Sequence, residues 1–161
     1  MTKIILSLCA ILTVFLTFFL FNFPGYVNGL IVAGAALAIL ASFRSEDMSR
    51  TSLIALDLLF MLLIMVVYRN TLALETMAFY IFFIGISLLM GSLEMLLFAK
   101  RPMHPALGLF FTVLFWAPLS VPIFFIVDNK LGTLGGVAVV IVLFFIAVRD
   151  IYRRKKENIT D

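Results

Sequence analysis

Six long apolar runs, separated only by short polar breaks, account for most of this chain: Ile4 to Phe21, Tyr26 to Phe43, Ser52 to Tyr68, Ala73 to Phe98, Pro105 to Val127 and Leu131 to Val148. A helix needs about 20 residues to cross a bilayer, so six crossings use about 120 of the 161 residues. The remainder is short loops and a charged tail, with no room in this stretch for a soluble domain. Backbone amides and carbonyls find no water in hydrocarbon, so each run must satisfy them internally, as a helix. The sequence predicts an all-α polytopic membrane protein of six transmembrane helices, forming one membrane domain over residues 1–161. Composition excludes the soluble alternative: 64% of residues are apolar and 13% charged, against roughly 25% charged in a soluble domain.

The breaks alternate in character. Asn22-Phe23-Pro24-Gly25, Tyr68-Arg69-Asn70-Thr71 and Asp128-Asn129-Lys130 are tight and carry the residues that favour turns. The others are basic: Arg44 to Arg50, Lys100 to His104, and the tail after Arg149. A net charge of +3 could suggest nucleic acid as a partner, but the cations gather at the ends of apolar runs, as orientation signals do. Lys3, Arg44, Arg50, Lys100, Arg101, Arg149, Arg153, Arg154, Lys155 and Lys156 fall on one side, against Arg69 and Lys130 on the other. This asymmetry places both termini in the cytoplasm and the protein in the cytoplasmic (inner) membrane, with the lipid bilayer as its partner. The first run is not expected to be a cleaved leader: Leu8 is bulky before Cys9, and no small-x-small site follows.

The alternation also reads as a weak internal repeat of three helical hairpins, 4–50, 52–101 and 104–154. The second helix of each unit carries small residues: Gly25, Gly29 and Gly34; Gly85 and Gly91; Gly132, Gly135 and Gly136. Such residues let helix backbones approach closely in lipid. The second, fourth and sixth helices are therefore expected to form the packed interior or the seam of a homo-oligomer.

Phe23-Pro24-Gly25-Tyr26-Val27-Asn28-Gly29-Leu30-Ile31-Val32-Ala33-Gly34, closing in Phe43-Arg44, resembles the repeat of the HdeD-type acid-resistance membrane proteins: proline after one helix, then a glycine-bearing helix with a basic end. Ile84-Gly85-Ile86 and Gly91-Ser92-Leu93-Glu94 before Lys100-Arg101 look similar, and the stretch from Pro122 to Arg154 follows more loosely. The middle unit has Arg69-Asn70 where that pattern has proline. The resemblance implies a six-helix inner-membrane protein without known catalytic residues, and a role in acid or envelope stress.

Ionisable residues inside spans are costly and are functional candidates by default. Asp57 and Glu94 are the two here. Asp57 lies five residues past Ser52 and Glu94 five before Ala99, which puts both roughly 7 to 8 Å below one boundary. On adjacent antiparallel helices they would face each other and share a proton, at least one being protonated near neutral pH. The structural alternative is that Arg50, seven residues from Asp57, and Arg101, seven from Glu94, each reach an acid on their own helix face.

Cys9 reads as a small buried side chain. His104, between Pro102 and Pro105, can sense cytoplasmic acidification but stands alone. Trp116, Pro118 and Pro122 in the fifth run point to a kink and a packing niche. No Ser, His and Asp constellation, phosphate loop or metal-spaced His and Cys set is present, so a protein without catalysis, cofactor or metal is expected. The alternatives are a small proton-coupled transporter or channel subunit using Asp57 and Glu94, and a membrane-embedded immunity or assembly partner. Cysteines introduced at Asn70 and Asn129 should label from the periplasmic side and tail cysteines only from the cytoplasm; labelling of the tail from outside would overturn the orientation.

Overall fold

The computed structural model describes residues 2–45, 48–98 and 104–157. The described residues form six helices: α1 (Thr2–Leu20), α2 (Gly25–Arg44), α3 (Met48–Val67), α4 (Leu74–Leu97), α5 (Pro105–Leu131) and α6 (Thr133–Glu157). Each corresponds to one apolar run, and no strand occurs among these residues. The protein is an all-α polytopic chain. Five helices, α1 to α5, are long and apolar enough to cross a membrane. In α6 the apolar stretch is the 17 residues Thr133–Arg149, about 25 Å of helix, shorter than the roughly 30 Å of a bilayer core.

The first four helices close a ring. α1 packs on α2 and α3, and α4 packs on the same two from the opposite corner. The core between them consists of Leu6, Ile31, Leu58, Met61, Ile81 and Ile84, all fully buried. Lys3 ties the foot of the ring together, its Nζ donating to the Ser45 carbonyl at the end of α2 over 3.0 Å. α5 lies outside this ring against α4, and α6 makes its substantial contacts with α5 alone. The helix pairs thus do not stack as three equivalent hairpins.

Glycines decide where backbones come closest. A Cβ at Gly85 would stand 2.9 Å from the Leu30 side chain, and one at Gly34 would stand 3.0 Å from Leu88. Each helix of the α2–α4 pair presents a glycine and receives the leucine of its neighbour. Gly91 does the same for Phe115 of α5, at 2.8 Å, and Gly136 of α6 for Phe124, also at 2.8 Å. These four glycines sit where helices approach most closely. Gly25 and Gly29 do not: both are exposed, with nothing within 4 Å of a Cβ. They share the small-residue pattern, but they lie on the face of α2 that no neighbouring helix covers.

Gly132 is also not a packing residue. It has φ 76° and open space around it, and it is the single residue between α5 and α6, with its amide donating to the Asp128 carbonyl over 2.8 Å. Only glycine adopts this left-handed conformation without strain. Asp128, Asn129 and Lys130, expected to form the turn, belong to the last turn of α5. α5 also runs unbroken through Pro118 and Pro122. The sixth helix, expected in the interior or at an oligomer seam, is peripheral within the chain: Leu134, Val137, Ile141, Val142, Phe144 and Phe145 are all exposed.

Leucine placed at Gly34 or Gly85 should destabilise the protein by about 1–3 kcal/mol through overpacking, while Gly29→Leu should change stability by less than about 0.5 kcal/mol. Thermal unfolding in detergent measures all three, and equal melting of the three variants would exclude the close α2–α4 approach.

Candidate functional site in the third and fourth helices

α3 and α4 are antiparallel neighbours, and their polar side chains meet along one seam. At one end Arg50 Nη1 lies 3.4 Å from Glu94 Oε1. Next to it the Thr51 hydroxyl donates to Met95 Sδ over 3.7 Å. Further along, Ile54 stands opposite Gly91. Two turns beyond Arg50, the Ser87 hydroxyl donates to Asp57 Oδ2 over 2.8 Å. These pairings fit an antiparallel arrangement, in which Arg50, Ile54 and Asp57 step forward on α3 while Glu94, Gly91 and Ser87 step back on α4.

That register separates the two acids. Asp57 is seven residues from Arg50 and Ser87 seven from Glu94, so the carboxyls lie about 10 Å apart along the helix axes. The expectation of equal depth does not hold. Counting from the ends of the apolar runs misplaces α3, which begins at Met48, four residues before Ser52. The expected Arg50–Asp57 salt bridge does not form, because Arg50 reaches across to Glu94 on α4 instead of along its own helix, and the expected Arg101–Glu94 pair falls outside the described residues. Arg101 lies outside the described residues, as do Ala99 to Met103 and Glu46 and Asp47.

The two acids differ in electrostatic setting. Glu94 is 4% exposed and has a cation against it, while the Arg50 side chain is 24% exposed. A long arginine can hold a buried acid while keeping its stem among apolar groups. Asp57 is 2% exposed, and among the described residues its partner is the Ser87 hydroxyl, with no cation on it. Isoleucine, leucine and methionine at 54, 58, 61, 84 and 88 belong to the core that encloses this part of the seam. The Ser92 hydroxyl on α4 is buried without a hydrogen-bond partner among the described residues.

Sequence reasoning missed Ser87 as a polar partner and Arg50 as a cross-helix one. The signal was present in the spacing. Arg50 and Asp57 on one helix, and Ser87 and Glu94 on the next, are both seven apart, and one antiparallel register satisfies both pairs together. The remaining candidates have local places in the fold. Cys9 is buried in α1. His104 is exposed and caps α5, its Nδ1 accepting from the Ala106 amide over 3.3 Å. Trp116 packs edge-on against Phe115, with its Nε1 unpartnered among the described residues. Among the described residues no group of three or more His, Cys, Asp or Glu is placed to hold a metal ion.

No protein-family profile, curated protein or solved structure matches this chain.

Residues in contact couple, and residues separated by more than about 7–10 Å act nearly independently. A double-mutant cycle of Arg50→Met with Glu94→Gln should therefore give a coupling of about 1–3 kcal/mol, whereas Asp57→Asn with Glu94→Gln should be additive within about 0.5 kcal/mol. Unfolding in detergent supplies the four stabilities for each cycle. Strong coupling in the second would show that the acids meet.

Proposed function

We propose that this chain is a non-enzymatic multi-pass protein of the cytoplasmic membrane that binds and releases a proton at Asp57, serving in acid or envelope stress. The observation that carries this reading is the setting of Asp57: a carboxyl sealed in a helix seam, with one hydroxyl partner and no cation on it among the described residues. A charge in such a place is costly, and intramembrane carboxyls mark proton sites for that reason. Glu94, with Arg50 against it, serves as an anchor. The resemblance to the HdeD-type repeat supports the stress assignment and the absence of catalysis.

The same reading has six crossings and both termini cytoplasmic. The basic asymmetry supports it. So does the α5–α6 pair, because α6 runs back beside α5 from Gly136 against Phe124 toward the basic end. Lys3 beside Ser45, and Arg50 beside Glu94, put further cations at one end of the bundle.

Infrared difference spectra between about pH 5 and 8 should show a carboxyl that titrates in the wild type and in Glu94→Gln and vanishes in Asp57→Asn. A spectrum unchanged by Asp57→Asn would remove the proton-handling role.

A further inference from the structure

The α5–α6 hairpin carries a groove of about 380 Å³ that the Asp57 seam does not explain. Leu109, Val113 and Trp116 of α5 form one wall, and Phe144, Ala147 and Ile151 of α6 form the other. The antiparallel register that sets Gly136 against Phe124 brings Ile151 opposite Leu109 and Val140 opposite Ser120. The groove therefore runs along the helix axes from Leu109 to Ser120 of α5, about 16 Å, which is close to one leaflet of a bilayer whose core is roughly 30 Å thick.

Its chemistry is that of hydrocarbon at the walls and of cations at one end. The two hydroxyls on the wall are already satisfied within α5, Thr112 donating to the Gly108 carbonyl and Ser120 to that of Ala117, both within 2.8 Å. Arg149 is exposed on the opposite face of α6, but Arg154 and Lys155 follow Ile151 by three and four residues and so share its face of the helix beyond the Leu109–Ile151 end. The helix continues through Arg153, Arg154, Lys155 and Lys156 to Glu157. Over residues 149–157 five basic residues face two acidic ones in the sequence, Asp150 and Glu157. A basic segment at the edge of a span attracts anionic headgroups.

We propose that this groove seats one acyl chain of an anionic phospholipid, whose headgroup is held by the basic end of α6. The apolar walls take the chain, the length matches one leaflet, and the cations select the headgroup. This assignment is independent of proton binding at Asp57.

Trp116 is the only tryptophan of the chain and lines the groove, so its fluorescence reports occupancy directly. The full chain is reconstituted in phosphatidylcholine vesicles containing a small fraction of acyl-brominated phosphatidylglycerol or of acyl-brominated phosphatidylcholine. Brominated phosphatidylglycerol should quench Trp116 about two-fold or more as strongly as brominated phosphatidylcholine at equal mole fraction. The preference should disappear when Arg149, Arg153, Arg154, Lys155 and Lys156 are all changed to Gln, and Ala147→Phe, which fills the groove, should reduce quenching by both lipids. Equal quenching by the two lipids in the wild type, or a preference that survives the charge change, would overturn the proposal.

Discussion

In hydrocarbon a leucine gains almost nothing by leaving lipid for protein, so helix association rests on closeness of fit and on polar pairing. α4 is where both conditions are met. Its Gly85 accepts Leu30 of α2, its Gly91 accepts Phe115 of α5, and its Ser87 and Glu94 pair with α3. Three neighbours are thus fixed by three different faces of one helix. Take α4 away and α1, α2 and α3 would lack the corner that closes the ring, and the α5–α6 hairpin would lose its attachment to the bundle.

The polar seam between α3 and α4 adds specificity that packing alone would not supply. Apolar helices slide past one another at little cost, whereas a slip of one turn here would leave Glu94 without Arg50 and Asp57 without Ser87. Leaving a buried hydrogen-bonding group without its partner costs about 1–3 kcal/mol, a bias toward one register over others. The seam also divides labour between its acids. Arg50 and Glu94 neutralise each other at one end, and the Asp57 carboxyl inside the bundle has a hydroxyl and, among the described residues, no cation against it.

Much of this architecture is legible in the residues because lipid leaves the backbone so few options. Apolar run and turn residue together place most helix boundaries within a few residues, and both intramembrane acids stand out by their cost. Which face a glycine occupies is not legible in the same way. Gly29 and Gly34 share one pattern on one helix, yet the first lies in open space and the second under Leu88. Only the identity of the neighbouring helix distinguishes them. The depth of Asp57 was obscured for a related reason: the apolar run starts at Ser52, but α3 starts at Met48, where Arg50 already forms part of the helix. The peripheral position of α6 follows from tertiary arrangement, since its apolar pattern is that of a buried helix and of a lipid-facing one alike.

The one-residue connection at Gly132 bears on the order in which the chain assembles. A loop this short leaves almost no closure entropy to overcome, and the contacts it brings together are close in sequence, the condition for rapid formation. As α6 leaves the ribosome, its partner α5 is the helix just synthesised. The ring of α1 to α4 needs nothing from the last hairpin to close, and α6 needs little from the ring. Biogenesis of this protein thus divides at the α4–α5 junction, into a bundle that must find its register and a hairpin that zips up beside it.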